Sequence, residues 1–386
     1  MKFIHTSDWH IGRQLHNQSL LEDQAFVLDQ IVDLAVEHQV DAVVVAGDIY
    51  DRAIPPVQAV ELLDHVLNRL IIELGIPVLM IAGNHDSHVR LGFAASHMSD
   101  NGLYIQGPLT ENIEPILIKG EEGDDAAFFL IPYVEPLVLK NLLQDEERAS
   151  GIKSHQDAMS FFLQGVTSYE TGGVPKVVVS HCFIDGGEES DSERPLSIGG
   201  ADRISPALFS GFAYTALGHL HGPQFKGSNN IRYSGSLLKY SFSEATQEKS
   251  VTLVQLDRQG KADIKLLPLK PRRDTRIIKG FLEEIIHEAA NDVNAHDYVM
   301  VRLLDKHAIL DPIGKLRSVY PNILHLERTG LMSEHEHIAL APEQLKQNEF
   351  DMFQNFFVQI TGDELNEEQK AVAIQVLDEL REEATK

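Results

Sequence analysis

Histidine, aspartate and asparagine side chains occur in five short blocks of the sequence, each directly after an apolar run. In chain order the blocks are Asp8-x-His10, Gly47-Asp48-x-x-Asp51, Gly83-Asn84-His85-Asp86, His181 and Gly218-His219-x-His221. The donor atoms are all oxygens or imidazole nitrogens and include no thiolate, a set that suits Mn, Fe, Zn or Mg. Groups that follow strands meet at one rim of an open α/β sheet. The pattern therefore predicts a two-metal hydrolase.

A pair of metal ions needs ligands on both ions and an anionic group between them. Asp48 is the predicted bridge, because one carboxylate can serve two cations and this one follows a glycine at a strand end. Two such ions would acidify a water and clamp the phosphate oxygens during an in-line displacement. The remaining predicted ligands are Asp8, His10 and His221 for the first ion, and Asn84, His181 and His219 for the second.

The leaving oxygen of a phosphate ester needs a proton or a positive neighbour. His85 is the candidate general acid, because it adjoins a predicted ligand but is left unliganded. Asp51 is expected to hold the other nitrogen of the His85 ring and to favour its charged form. Arg52 is a candidate phosphate contact, with a surface salt bridge as the alternative. His16 and His88 are candidate substrate contacts, with a structural or surface role as the alternative.

Strand and helix patterns alternate over the first ~270 residues, which is typical of an α/β fold. Apolar residues recur at helical spacing over Asp23–His38 and again over Val57–Leu74, where two prolines precede the helix. Gly186–Asp202 is rich in glycine, serine and acids and is expected to be a loop over the site, or else an ordinary surface loop. Tyr233–Glu244 and Ser250–Leu256 are expected to form hairpins that complete the sheets.

Prolines and arginines near residue 270 indicate a domain junction. We expect a main α/β domain over residues 1–270, a small α/β cap over 271–330 and a helical tail over 331–386. The basic run Lys270–Lys279 is either a phosphate contact or an ordinary linker. Residues 331–386 hold 13 acidic and 4 basic residues, and Phe350, Phe353, Phe357 and Ile360 recur near a helical period.

The chain has 386 residues, of which 43% are hydrophobic and 24% are charged, as in an ordinary globular protein. Cys182 is the single cysteine, so no intrachain disulfide is expected and a reducing, cytoplasmic location fits. No apolar stretch approaches the ~20 residues that span a bilayer. The net charge of −25 is unusual for a protein that grips nucleic acid by itself. Contact with DNA would then depend on metals, a local basic patch or a partner.

The blocks DWH, GDIYDR, GNHD, SH and GHLH, in this order, resemble the calcineurin-like metallophosphoesterase superfamily over the first ~240 residues. A narrower resemblance, to the SbcD family of bacterial nucleases, is carried by three longer segments. They are SDWHIGR, SDSERPLSIGGADRI and YSGSLLKYSFSEA. This second resemblance extends over nearly the whole chain.

The resemblance implies a four-layer α/β/β/α sandwich with a small α/β capping domain and a helical C-terminal tail. It implies a manganese-dependent nuclease, with 3′–5′ exonuclease activity on double-stranded DNA and endonuclease activity on single strands and hairpins. Such a protein forms a homodimer and acts in DNA end processing, recombination and replication. A small-molecule phosphodiesterase or phosphatase of the superfamily is the alternative, and a non-catalytic scaffold is a more distant one.

The resemblance also implies a partner, an SbcC-type coiled-coil ATPase that grips DNA. The chain itself has no G-x-x-x-x-G-K-[ST] loop for a nucleotide. Its acidic, phenylalanine-bearing tail is then a candidate helix-in-groove contact with that partner. A pair of helices that packs only on its own domain is the alternative.

Overall fold

The computed structural model describes residues 1–120, 123–193, 202–332 and 364–384, together with 350, 351, 353, 354, 357 and 358. The chain forms two compact units, Met1–Asp274 and Thr275–Lys386. The division falls near the expected junction at residue 270. Much of the predicted tail, including Ile360, lies outside the described residues, as do residues 194–201 of the predicted loop. The boundaries of the cap and the tail stay a prediction.

Sheet 1 is a six-stranded mixed sheet at the centre of the first unit. Its strands, in spatial order, are β16 (Ala262–Pro268), β15 (Ser250–Leu256), β1 (Lys2–Thr6), β4 (Ala42–Val45), β5 (Val78–Ile81) and β6 (Leu103–Gln106). Strands β1, β4, β5 and β6 run parallel, and β15 is antiparallel to β1. The carboxyl ends of the parallel strands therefore share one edge.

Sheet 2 has a similar arrangement, with four parallel strands at its centre. In spatial order it contains β13 (Gln224–Lys226), β14 (Ser228–Tyr233), β12 (Tyr214–Gly218), β9 (Lys176–His181), β8 (Ala126–Ile131) and β7 (Ile116–Ile118). Strands β14, β12, β9 and β8 are parallel neighbours. In this register His181 lies directly opposite Gly218, which brings two of the polar blocks side by side.

The two sheets pack face to face and bury their apolar side chains between them. Phe3 of β1, Phe128 of β8 and Tyr214 of β12 meet there with their rings at right-angled geometry. The outer face of sheet 2 packs on α7, through Phe162 and its apolar neighbours. The helices of the first unit are α1 (Leu21–Glu37), α2 (Val57–Leu67), α3 (His88–Leu91), α4 (Ala95–Met98), α5 (Pro136–Leu142), α6 (Glu146–Gly151) and α7 (His155–Ser168).

Helix α1 buries one face, which includes Val27, Ile31 and Ala35, as its periodicity predicts. Since Ile4 and Val43 on the opposite face of sheet 1 are also fully buried, a helical layer covers each sheet. The predicted α/β/β/α sandwich is confirmed.

Short elements connect the layers at the edge where the parallel strands end. A hairpin of β2 (Gln14–Leu15) and β3 (Gln18–Ser19) follows the first polar block, and β10 (Phe183–Ile184) pairs with β11 (Arg203–Ile204) after His181. A π-helical turn, Asn68–Glu73, extends α2, and 3₁₀ turns lie at Ser99–Asn101, Pro206–Phe209 and Phe242–Glu244.

The predicted hairpin over Tyr233–Glu244 is wrong, although the strand Ser250–Leu256 is confirmed. Strand β14 ends at Tyr233, and the chain continues as an irregular segment to the 3₁₀ turn Phe242–Glu244. The segment makes specific contacts instead of a ladder. Ser236 N–H donates to the His221 carbonyl at 3.1 Å, and the Tyr240 hydroxyl donates to the Trp9 carbonyl.

The second unit contains a three-stranded parallel sheet of β17 (Thr275–Gly280), β18 (Tyr298–Leu303) and β19 (Ile323–Arg328). Helices α8 (Leu282–Ala289) and α9 (Pro312–Arg317) connect its strands and pack their apolar side chains on it. Two further helices are α10 (Thr329–Met332) and α11 (Glu367–Ala384). Among the helices that the structure describes, none has the length and apolar character needed to cross a bilayer.

Candidate metal centre

The five polar blocks converge at the carboxyl-terminal edge of the two sheets. Backbone hydrogen bonds connect the first two blocks, from Asp8 N–H to the Gly47 carbonyl at 3.0 Å and from His10 N–H to the Asp48 carbonyl at 2.9 Å. His219 N–H donates to the Asp8 carboxylate, at 3.0 and 3.1 Å from its two oxygens, and so connects the two sheets. The strand order thus places side chains from both halves of the unit in one cleft.

Four predicted ligands have a backbone in the left-handed region that side chains other than glycine rarely adopt. The φ angles are 51° at Asp8, 45° at His10, 51° at Asp48 and 113° at His219. Such conformations cost of the order of 1–3 kcal/mol each and persist where the surrounding structure fixes them. Strain of this kind is concentrated at functional sites.

Glycine is required where the blocks pack against one another. A Cβ atom on Gly83 would lie 2.1 Å from Oδ1 of Asp48, and one on Gly218 would lie 1.9 Å from the Ala46 carbonyl oxygen. Both distances are far below van der Waals contact. The glycines of the GNHD and GHLH blocks therefore allow the ligand loops to approach each other.

The first predicted group, Asp8, His10 and His221, has ligand atoms within 4.8 Å of one another. Nε2 of His10 lies 3.1 Å from Nε2 of His221 and 3.6 Å from Oδ2 of Asp48. Asp8, His10 and His221 are almost completely buried. Ring nitrogens that face each other at this distance share one proton or one cation, so this arrangement suits a metal ion.

The second predicted group surrounds the other side of Asp48. Nε2 of His181 lies 2.9 Å from Oδ1 of Asn84 and 3.5 Å from Oδ2 of Asp48. The His219 ring packs edge-on to that of His181, with centroids 5.5 Å apart. Nδ1 of His181 lies 2.9 Å from the Ala46 carbonyl, which can only accept a hydrogen bond. The neutral ring therefore carries its proton on Nδ1 and turns the Nε2 lone pair toward Asn84 and Asp48.

The electrostatics of these side chains fit divalent cations. Burial and the nearby charge of Asp48 raise the pKa of Asp8 well above its usual range. Burial and the neighbouring histidines lower the pKa of His10 and of His219. The buried carboxylates repel each other, and the neutral imidazoles beside them provide no positive charge to balance them. Divalent cations would supply that charge, so the donor set fits a pair of metal ions.

His85 lies beside the candidate ligands, but its ring binds the main chain of Asp51 and not the Asp51 carboxylate, which was the expected partner. Its Nδ1 donates to the main-chain carbonyl of Asp51 at 2.9 Å, and its ring centroid is 4.7 Å from that of His10. The Asp51 carboxylate instead accepts from Nη1 of Arg13 at 3.0 Å. The expectation that this carboxylate holds His85 is therefore corrected, because Arg13 occupies it. Asp51 still orients the ring, through its backbone.

The three candidate substrate contacts have different surroundings. Arg52 is mostly exposed, and its Nε lies 3.6 Å from Oδ2 of Asp51. His88 is half-buried, and its Nδ1 donates to the Gly107 carbonyl at 3.1 Å. His16 is exposed and lies against the Phe242 ring, with centroids 5.5 Å apart. Arg52 directly follows Asp51 in the sequence and His88 is three residues after His85, whereas His16 belongs to the β2–β3 hairpin.

Buried polar residues that sequence reasoning gave no role connect the ligand loops. The Asp86 carboxylate accepts the N–H groups of Ile49, Tyr50 and Gly83 at 2.9–3.0 Å. The Gln24 amide nitrogen lies 2.8–3.1 Å from the carbonyl oxygens of Trp9 and His10 and from the Tyr240 hydroxyl. Glu244 is fully buried behind His221. Asp86 belongs to the block Gly83-Asn84-His85-Asp86, which the sequence pattern already singled out. The sequence around Gln24 and Glu244 does not indicate that these side chains are buried.

Two arginines of the basic run near residue 270 form ion pairs within the first unit. Arg273 makes a two-pronged contact with the buried Asp23, at 2.9 and 2.6 Å, and Arg272 donates to Glu22 at 2.8 Å. These contacts favour the linker interpretation over a phosphate contact for both arginines.

Comparisons with known proteins agree with the geometry. The calcineurin-like phosphoesterase family matches residues 1–222, and the type 5 capsule protein repressor C-terminal domain family matches residues 271–361. The SbcD component of nuclease SbcCD from Staphylococcus epidermidis is 35% identical over 369 residues, which cover 96% of each chain.

Solved structures with a similar chain path include a dimetal phosphatase from Danio rerio, at 12% identity and a TM-score of 0.39. The match covers 70% of this chain and 99% of the other. A protein of Thermus thermophilus, at 15% identity and a TM-score of 0.35, matches over 69% of this chain and 98% of its own.

The family match spans more than half of the chain, and the curated relative aligns over nearly all of it. The chain therefore belongs to the calcineurin-like phosphoesterase family and, within it, to the SbcD nucleases.

Proposed function

We propose that this chain is a metal-dependent DNA nuclease, a 3′–5′ exonuclease and hairpin endonuclease that acts with an SbcC-type ATPase in DNA end processing, recombination and replication. The observation that supports the proposal is the convergence of seven side chains with oxygen or imidazole donors, from five loops, in a chain that belongs to the SbcD nucleases. The related protein from Staphylococcus epidermidis bears the name of a nuclease component.

Asp48 is the proposed bridging ligand, since its carboxylate faces both His10 and His181. Asp8, His10 and His221 would hold one ion, and Asn84, His181 and His219 the other. When bound, two divalent ions supply positive charge for the phosphate oxygens and a more acidic water. We expect manganese, as the resemblance to the SbcD family implies, and oxygen and imidazole donors without thiolate are compatible with it.

His85 is the proposed general acid. Its Nδ1 proton is held by the Asp51 carbonyl, which leaves Nε2 to protonate the leaving oxygen of the DNA strand. The ring is only half-buried, so it can reach a substrate that enters the cleft. Arg52 and His88 are proposed to contact the phosphate backbone next to it, and His16 to contact a more distant nucleotide.

A homodimer is supported by an exposed apolar patch on the first unit. Ile54, Val57, Val89 and Phe93 are 67–78% exposed, and Val60 is 45% exposed. Arg90 donates to the Ala53 carbonyl at 3.2 Å, which brings the segment before α2 close to α3. Exposed apolar side chains grouped in this way are typical of protein interfaces.

Contact with the ATPase is supported by the described part of the C-terminal tail. Phe353, Phe357 and Leu365 line an apolar groove of about 680 Å³ along α11. The groove also contacts Val372 and Val376, which are 61% and 48% exposed. An apolar groove with an acidic surround fits an amphipathic, basic helix of the partner.

The function is tested by assaying the purified protein with manganese, with and without its ATPase partner. Linear duplex DNA, a hairpin oligonucleotide and a generic aryl phosphodiester are compared side by side. The proposal requires cleavage of both DNA substrates and its loss on metal chelation. Turnover of the aryl ester with no DNA cleavage, even with the partner present, would instead support a small-molecule phosphodiesterase.

A further inference from the structure

A connected network of buried polar side chains lies directly behind His221. Glu244 is fully buried, and its Oε2 accepts from Nζ of Lys249 at 2.6 Å. The Lys249 ammonium also donates to the His221 carbonyl at 2.9 Å and to the Ser236 hydroxyl at 2.9 Å. The other Glu244 oxygen accepts from the hydroxyl of Ser192, which lies on the loop above the site.

The network determines which nitrogen of His221 carries the proton. Nδ1 of His221 lies 2.5 Å from Oγ of Ser192 and 3.5 Å from Oε1 of Glu244. The single hydroxyl proton of Ser192 is donated to the Glu244 carboxylate. Oγ of Ser192 must then accept from Nδ1 of His221, because two acceptors cannot share a bond without a proton. A neutral ring with a proton on Nδ1 presents a lone pair on Nε2, the atom that faces His10 at 3.1 Å.

The same loop makes two further contacts with the site, and a hydrogen bond within the loop supports one of them. Glu193 accepts the backbone N–H of His221 at 2.7 Å, and the Ser190 hydroxyl donates to Glu193 at 2.6 Å. Arg13 donates to the Ser192 carbonyl at 3.0 Å while its other nitrogen holds Asp51. These contacts fix the position of residues 190–193 relative to both His221 and the residue that orients His85.

We propose that Ser192 and Glu244 are positioning residues that hold the His221 imidazole in its Nδ1-protonated form, so that Nε2 is presented to a divalent cation. The inference rests on the proposed metal centre and adds residues that do not touch the ion themselves. Partners of this kind fix the tautomer and the orientation of a ligating histidine, and their loss costs about 10- to 100-fold in metal affinity.

The test compares Ser192→Ala, Ser192→Thr and the wild type in the metal-free, full-length protein. Calorimetric titration with Mn²⁺ is expected to show two sites in the wild type and one site weakened about 10- to 100-fold in Ser192→Ala. Ser192→Thr keeps the hydroxyl and should restore the affinity. Imidazole ¹⁵N shifts of the metal-free protein should place the His221 proton on Nδ1 in the wild type and lose that preference in Ser192→Ala.

Ser250→Ala is the matched control, because Ser250 is buried next to Lys249 but its hydroxyl has no hydrogen-bond partner among the residues that the structure describes. It should bind Mn²⁺ as the wild type does. Equal affinities for Ser192→Ala and Ser250→Ala, or a lower melting temperature with unchanged affinity, would overturn the positioning role.

Glu244→Gln removes the charge and keeps the shape of the side chain, so it should weaken the same site. If this variant does not fold, because Lys249 is left unpaired, the Ser192 series still decides. A wild type that binds no Mn²⁺ would refute the metal centre itself, which is a different failure.

Discussion

At the scale of single residues, Nδ1 of the His85 ring is hydrogen-bonded, whereas Nε2 has no hydrogen-bond partner in the described part of the chain. The Asp51 carbonyl accepts from Nδ1, and the half-buried ring lies beside His10 at the mouth of the cleft. Because the ring is held by a backbone oxygen, its orientation does not depend on the charge of a carboxylate.

Replacement of His85 by alanine is expected to reduce DNA cleavage by about 100- to 10,000-fold, the usual contribution of a general acid. Metal content should stay at the wild-type level, because His85 is outside the proposed ligand set. Cleavage rates and elemental analysis of the same preparation measure the two quantities. His287→Ala, at an exposed position on α8, is the control. Wild-type cleavage by the His85 variant would rule out the assigned role.

Replacement of Asp48 by asparagine should remove metal as well as activity. The change keeps the shape of the side chain but removes the negative charge that faces His10 and His181. We expect bound manganese, measured by elemental analysis after dialysis, to fall well below two equivalents. Asp263→Asn, at an exposed position on β16, should retain both ions. Two equivalents in the Asp48 variant would contradict the bridging role.

At the scale of elements, Asp86 holds the loops after β4 and β5 together. Its carboxylate accepts three buried N–H groups, two from the loop that follows Asp48 and one from Gly83. A carboxylate can accept several such bonds because each oxygen has two lone pairs. The loops that carry Asp48 and Asn84 therefore depend on one side chain.

Asp86→Ala is expected to lower the free energy of unfolding by roughly 3 kcal/mol or more, because three buried N–H groups lose their partner and each such loss costs about 1–3 kcal/mol. Urea unfolding of the metal-free protein measures this change. Glu170→Ala, at an exposed position after α7, should shift the midpoint very little. An unchanged midpoint in the Asp86 variant would show that water or neighbouring groups replace the carboxylate.

At the scale of the whole molecule, 58 acidic residues outnumber 33 lysines and arginines, and two of these cations, Arg272 and Arg273, are held in ion pairs within the first unit. Binding through phosphate contacts needs such cations. The chain is therefore expected to depend on its bound metals, a second copy and the ATPase for its hold on DNA.

The double variant Val89→Glu and Phe93→Glu is expected to convert a dimer into a monomer, because charges would replace the most exposed side chains of the apolar patch. Light scattering after size exclusion gives the mass directly. Val293→Glu, at a position 94% exposed in the second unit, should remain dimeric. A dimer that survives the double change would place the interface elsewhere.

The sequence by itself determined the identity of the candidate ligands and the class of fold. Apolar runs of four to six residues specify buried strands, and polar groups that follow them must emerge at a sheet edge. The α/β class and the seven candidate ligands follow from this local pattern, whereas the four-layer sandwich was implied by the family resemblance. No long-range contact had to be known.

Only the tertiary structure decided how these side chains are held. The carboxylate of Asp51 accepts a hydrogen bond from Arg13. Glu244 lies behind His221, in a segment that the local pattern assigned to a hairpin. Glu244 and His221 are 23 positions apart in sequence, and Ser192 and Glu244 are 52 apart. Hydrogen bonds between such distant residues depend on how loops pack, and periodicity carries no information about that packing.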